Sequence, residues 1–151
     1  MKLFDPQMMQ YIDQNIDWKQ AVHIGVGMLV DCNKASWELE EKILESTEKF
    51  GAYYVLEKGV ALLHTLAGDY CYQAATSTLI LDQEIIFNNQ SDKMAKIIIT
   101  LSAPDNNSHI AIIKEFGRYF MDVNFKEKAL AVKSKQEFLN LITQFGEKYD
   151  Y

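Results

Sequence analysis

Two of the chain's three histidines fall where the residue pattern predicts that β-strands end. The apolar run 60–63 is strand-like and leads directly to His64, and a second apolar run at 95–103 leads through a polar turn to His109. Because the carboxyl ends of the strands form the binding crevice of an open α/β sheet, we expect the two imidazoles to converge there. A neutral imidazole nitrogen can attack phosphorus to form a phosphohistidine, while a second histidine donates hydrogen bonds to the phosphoryl oxygens. The pair therefore predicts phosphoryl transfer, a reaction that needs neither a metal nor a cofactor here.

Hydroxyl groups beside the two histidines support the same interpretation. Thr65 and Ser108 are candidates for stabilising the charge that spreads over the phosphoryl oxygens during transfer. The alternative is a structural role, because a lone histidine beside an apolar run is more often a hydrogen-bonded structural residue.

The sequence lacks the motifs of zinc sites, serine hydrolases and nucleotide-binding enzymes. The sequence has no HExxH, CxxC or His-x-His pattern for zinc, no GxSxG elbow for a serine hydrolase, and no phosphate-binding glycine motif for a nucleotide.

Composition narrows the class of protein. The chain has 151 residues, of which 48% are hydrophobic and 24% are charged, and its two prolines and seven glycines form no linker, so we expect one domain over residues 1–151. The net charge of −6 argues against binding to nucleic acid or to an anionic membrane and favours a cationic protein partner. The sequence shows no signal peptide and no apolar run long enough to span a membrane, and Cys32 and Cys71 form no CxxC pair. These features predict a cytoplasmic protein with two reduced thiols.

Two helices are predicted before His64. Apolar residues recur at helical spacing from Trp18 to Asp31, and His23 lies on the opposite, solvent-facing side of this helix without a predicted role. A second, acidic helix runs from Ser36 as the N-cap to Phe50, and Gly51 supplies the left-handed position that ends it. The residues predicted on its buried side are Trp37, Leu44, Thr47 and Phe50.

Strands and helices alternate through the rest of the chain. The predicted strands are 52–56, 60–63, 77–81, 84–87 and 95–103, and the last of these is predicted to be central because it is apolar on both faces. The predicted helices are 110–122, with Asp105 or Ser108 as the cap, 125–131, and a final helix opened by the capping box 134–137. This order predicts an α/β domain in which helices flank both faces of a mixed sheet of four or five strands.

The chain resembles the enzyme IIA proteins of the bacterial phosphoenolpyruvate-dependent sugar phosphotransferase system, in particular the mannitol/fructose type and its ascorbate-like branch. The segments that carry the resemblance occur in the family's order: 18–22, 29–30, 50–56, 59–64, 85–88, 97–105 and 108–109. The resemblance implies a mixed sheet sandwiched by helices, with the phosphorylation site at a sheet edge. It also implies that His64 receives a phosphoryl group from the carrier protein HPr and passes it to component IIB, with His109 as the second active-site histidine. The membrane component IIC, which handles the sugar, is then reached only indirectly.

Three positions depart from the pattern of the family. Leu63 stands where relatives have a proline, Leu66 stands where the ascorbate-like branch has an arginine, and Asn89 stands where that branch often has a histidine. Proline would hold the approach to the histidine rigid, and arginine would supply a fork of donors to a phosphoryl group. The loss of both favours an alternative, a transfer-impaired regulatory or binding module. A third interpretation is that the acidic helix 36–50 and exposed apolar residues around Leu63 and Leu66 form the interface of a homodimer.

Overall fold

The computed structural model describes residues 2–149, which form a four-stranded mixed sheet covered by helices on both faces. After a short 3₁₀ turn, strands β1 (Met9–Ile12), β2 (Gly59–Leu63), β3 (Ala75–Ile86) and β4 (Met94–Ser102) make up the sheet. The helices are α1 (Trp18–Asp31), α2 (Glu38–Phe50), α3 (Asn106–Phe120), α4 (Val123–Ala131) and α5 (Lys135–Tyr149). None of the helices in this described range is long and apolar enough to cross a membrane.

The strand order is β1-β3-β4-β2. β2 runs parallel to β4, β1 runs parallel to β3, and the two central strands β3 and β4 pair antiparallel. The prediction that 95–103 is a central strand is therefore confirmed. Because β2 and β4 are parallel neighbours, their carboxyl ends lie at the same edge of the sheet, and the predicted histidines follow these two ends.

Both faces of the sheet are buried, and side chains along β2 alternate between them. Ala61 and Leu63 pack in the core under α1 and α2. Val60 and Leu62 pack in a second core under α3, α4 and α5. Leu63 is fully buried, so the expectation of an exposed apolar residue at this position is wrong; the strand continues through it, and its side chain faces the sheet core rather than the surface.

The second helix differs in detail from the prediction. It begins at Glu38, and its buried residues are Leu39, Ile43 and Thr47. Trp37 and Phe50, which were placed on the buried side, are instead exposed. They lie at the two ends of the helix, outside both buried core clusters, and Trp37 stacks on the ring of His23 instead.

Two strand predictions also need correction. Residues 52–56 form turns rather than a strand. A tight turn with Gly59 at φ 92° follows them at once, and the segment makes a single backbone hydrogen bond to β2, from Leu62 N–H to Tyr54 O. The segments 77–81 and 84–87 were predicted as two strands, but one long strand, β3, covers both as far as Ile86, and its register shifts between Ile80 and Ile85. Strand β1 was not predicted, since four residues are too few to show a period.

Candidate functional site

His64 and His109 meet at the edge of the sheet where β2 and β4 end. His64 is the first residue after β2, and His109 lies in the first turn of α3, which follows β4 after a short turn. The centroids of the two imidazole rings are 5.5 Å apart, with the planes inclined at 67°. The parallel pairing of the two strands therefore brings these sequence-predicted residues into edge contact.

The imidazole of His64 is held in one tautomer. Its Nδ1 lies 2.6 Å from the carbonyl oxygen of Leu62. Since a carbonyl oxygen can only accept a hydrogen bond, Nδ1 carries the proton and Nε2 retains its lone pair. Burial of the ring lowers the pKa of His64 below its ordinary value, the bond to Leu62 opposes this shift, and the nearby His109 adds to it. The ring is therefore neutral near pH 7, with Nε2 as a nucleophile.

Asp105 positions the helix that carries His109. Its carboxylate accepts a hydrogen bond from the Ser108 backbone N–H at 2.8 Å and so caps α3. Of the two caps left open by the sequence, the structure selects Asp105. The Ser108 hydroxyl donates to the carbonyl and the carboxylate of the same aspartate, each at 3.0 Å. The other predicted hydroxyl, that of Thr65, lies 2.9 Å from the Ser46 hydroxyl on α2.

The two histidines open into a groove with a volume of about 920 Å³ between α2 and the loop after β2. Its rim is apolar: the side chains of Leu66 and Phe50 are 82% and 72% exposed. The positive side chains among the described residues that line it are Lys42, which pairs with Glu45 at 3.9 Å, and Lys49. The chain's single arginine, Arg118, lies on α3 and pairs with Glu115 instead. Lysine therefore provides the positive charge of this groove.

One contact at the site could not be found from the sequence. The hydroxyl of Tyr53 donates a hydrogen bond to the carbonyl oxygen of His64, and the Tyr53 ring packs edge-to-face with the imidazole. The sequence placed Tyr53 in a strand, where its side chain would have had no particular relation to the histidine. The only signal was the pair of tyrosines a short distance before the His64 strand.

The other titratable candidates lie elsewhere. His23 is exposed, as expected, but it stacks on Trp37 with ring centroids 4.7 Å apart and its Nδ1 lies 2.9 Å from Glu40 Oε1, which joins α1 to α2. Cys32 and Cys71 are both free. Within residues 2–149, no three His, Cys, Asp or Glu side chains are placed to hold a metal ion together.

Comparison with known proteins assigns the family. The sequence model of the family described as phosphoenolpyruvate-dependent sugar phosphotransferase system, EIIA 2, matches residues 2–145. The ascorbate-specific EIIA component of Escherichia coli K12 is 30% identical over 126 residues, which cover 83% of this chain and 82% of that protein.

Solved structures agree. The solution structure of the mannitol-specific cryptic phosphotransferase enzyme IIA of Escherichia coli superposes with a TM-score of 0.81 at 26% identity, covering 95% of this chain and 99% of that one. The fold is also that of the Escherichia coli mannitol enzyme IIA solved in complex with phosphorylated enzyme IIB, with a TM-score of 0.78 at 18% identity over 93% of this chain and 97% of that one. The chain belongs to the EIIA type 2 family, and it is a component of the phosphotransferase system. The predicted family and fold class are confirmed.

Proposed function

We propose that this chain is a phosphocarrier that accepts a phosphoryl group from phospho-HPr on Nε2 of His64 and passes it to an enzyme IIB. The observation that carries the proposal is the arrangement of His64: Nδ1 is bound to Leu62 O, while the ring meets His109 in an open groove. A neutral imidazole whose other nitrogen is already engaged has one nucleophilic atom to offer.

The transfer is a single exchange of nitrogen–phosphorus bonds. The lone pair of His64 Nε2 forms a bond to phosphorus while the bond from phosphorus to the donor's histidine nitrogen breaks, and that nitrogen keeps the electron pair. The His64 ring then carries positive charge, which the carbonyl of Leu62 stabilises through the Nδ1 proton at 2.6 Å. The same charge makes His64 a good leaving group when the phosphoryl group moves on to a nucleophile of IIB.

Other groups of the groove act on the phosphoryl oxygens. In this proposal His109 donates a hydrogen bond to them, and Lys42 and Lys49 supply positive charge along the wall of the groove. Thr65 and Ser108 act as support: each hydroxyl already has a partner in the protein, and can reach a phosphoryl oxygen only by giving up or sharing that partner.

The surroundings of the site support protein partners. Exposed Leu66 and Phe50 beside the histidines suit contact with the surface of another protein. The related mannitol enzyme IIA has been solved in complex with phosphorylated IIB, which supports IIB as the acceptor here. Contact with the membrane component IIC is then indirect, and the role would place the chain in the cytoplasm. A homodimer through the same apolar rim is the competing use of this surface, and light scattering over a range of concentrations distinguishes it.

The test is intact-protein mass spectrometry after incubation with phosphoenolpyruvate, enzyme I and HPr at alkaline pH. We expect one phosphoryl group on the wild type and none on His64→Ala, whereas His109→Ala takes up the group slowly and fails to pass it on to IIB. A folded wild type that gains no mass would contradict the proposal and favour the regulatory or binding module that Leu66 in place of an arginine suggests.

A further inference from the structure

The backbone of His64 lies just outside the sheet. The pairing between β2 and β4 ends at Leu63, opposite Thr100, so the ladder does not hold the next residue. A residue in this position has conformational freedom unless another contact restrains it. At His64 that contact comes from Tyr53, whose hydroxyl donates to the carbonyl oxygen of the histidine.

The same tyrosine also contacts the imidazole. The ring centroids of Tyr53 and His64 are 5.2 Å apart and their planes stand at 87°, an edge-to-face arrangement that aromatic rings prefer. One side chain therefore restrains both the backbone and the ring of His64. Rotation of the imidazole away from Leu62 O would disrupt this packing as well as the Nδ1 hydrogen bond.

Tyr53 is itself held in place by its neighbour. The carbonyl oxygen of Tyr54 accepts a hydrogen bond of 2.9 Å from Leu62 N–H, and the Tyr54 hydroxyl bonds to Thr47 at 2.8 Å in the core. The carbonyl oxygen of Leu62 in turn accepts a hydrogen bond from His64 Nδ1. Two hydrogen bonds thus link residues 53–54 to residues 62–64, one of them from Tyr53 to His64, and the His64 to Leu62 bond within 62–64 closes the circuit.

We propose that Tyr53 is a positioning residue for phosphoryl transfer: it fixes the orientation and the tautomer of His64 so that Nε2 faces the groove. The proposal rests on the phosphocarrier function proposed above. Tyr53 touches no reacting atom in this account, and its effect passes through the histidine.

The test combines the tautomer of His64 with the rate of transfer. Long-range ¹H–¹⁵N NMR of the imidazole at pH 7.5 should show the Nδ1–H form in the wild type and a mixture of the two neutral forms in Tyr53→Phe. The rate of uptake at saturating phospho-HPr should fall about fivefold, the size expected for losing one hydrogen bond, while KM for HPr stays unchanged. The amide spectrum of the variant reports that it is folded, since phenylalanine keeps the ring.

Two matched variants isolate the effect. Tyr70→Phe removes a similar bond, from the Tyr70 hydroxyl to Leu66 O, in the loop after His64, and it should leave the His64 tautomer unchanged. Tyr11→Phe removes the 2.9 Å hydrogen bond from Tyr11 on β1 to Asp82 on β3 and should leave the uptake rate unchanged. The proposal is overturned if Tyr53→Phe keeps the wild-type tautomer and rate, or if Tyr70→Phe alters the tautomer equally. If the wild type takes up no phosphoryl group, the proposed function fails, while the tautomer measurement still decides the role of Tyr53.

Discussion

Replacing Gly25 by alanine tests how closely helix α1 packs against the strands that carry the site. Gly25 is buried in α1, and its carbonyl oxygen accepts a 2.7 Å hydrogen bond from Ser77 on β3. A methyl group at this position would lie well inside contact distance of the Thr100 hydroxyl and 3.3 Å from Thr100 Cβ. Because the hydrogen bond to Ser77 limits how far the helix can lift, the added methyl must shift the Thr100 side chain or β4 itself.

The size of the effect follows from two opposing contributions. Overpacking a core costs about 1–3 kcal/mol, and alanine in place of a helical glycine contributes about 0.5–1 kcal/mol of stability. We expect Gly25→Ala to lower the free energy of unfolding by about 1–2 kcal/mol. The Thr100 hydroxyl is buried without a hydrogen-bond partner in the described part of the chain, so Thr100→Ala makes room for the methyl while removing a group that gains little from its position.

Urea denaturation of the four proteins in a double-mutant cycle measures this coupling. In the Thr100→Ala background, Gly25→Ala should be neutral or stabilising. Gly27→Ala in the same helix is the matched control: its methyl would meet only the rim of the half-exposed Trp37 ring at 3.3 Å, and it should cost little. Equal costs for Gly25→Ala in the two backgrounds would refute the reasoning. Since Thr100 pairs with Leu63, the single variant should also disturb the end of β2 that leads to His64.

Three further predictions concern the site. Burial lowers the pKa of His64 below its ordinary value of 6.5, so as the pH falls the unfolded chain takes up this proton before the folded chain does, and the protein loses stability. The free energy of unfolding, measured by urea denaturation at pH 7.5 and at pH 5.5, should therefore fall less in His64→Gln than in the wild type. An equal fall in the two proteins would contradict the assignment. Asp105→Ala removes the cap of α3, the helix that carries His109, and should both lower the thermal midpoint and slow phosphoryl transfer. The control Asp17→Ala removes the cap of α1 and should lower the midpoint alone. Equal transfer rates in the two variants would count against a role of α3 in positioning His109. Leu66→Arg places a fork of donors beside the groove and should accelerate phosphoryl uptake while changing stability by less than about 0.5 kcal/mol. The control Leu56→Arg, also on the surface, should leave the uptake rate unchanged. An unchanged rate in Leu66→Arg would show that the missing arginine does not limit phosphoryl uptake.

The sequence predicted the elements whose residues repeat over several turns or alternate in a long run. α1 has the predicted bounds, and β4 lies at the centre of the sheet because Ile97, Ile98 and Ile99 require burial on both faces. The convergence of His64 and His109 at one edge followed from the rule that parallel strands end together, once both were placed after strands.

The predictions that were wrong concern residues whose burial and contacts depend on the folded chain, which the local sequence pattern does not reveal. Residues 52–56 are rich in β-formers, yet the adjoining turn leaves them no strand to pair with, and Tyr53 instead contacts the histidine. Phe50 is apolar at helical spacing, but it lies at the mouth of the groove, where exposure is compatible with a docking surface. Leu63 is buried because β2 continues through it. Each of these outcomes depends on contacts with residues far away in sequence.

The position of the phosphoryl group on the protein tests the central claim most directly. Wild-type protein phosphorylated through enzyme I and HPr would be examined at alkaline pH by ³¹P and ¹⁵N NMR of ¹⁵N-histidine-labelled material. We expect a single phosphohistidine at His64 with phosphorus bonded to Nε2, because Nδ1 is held by Leu62 O. Phosphorus on Nδ1 of His64, or on any other residue, would contradict it.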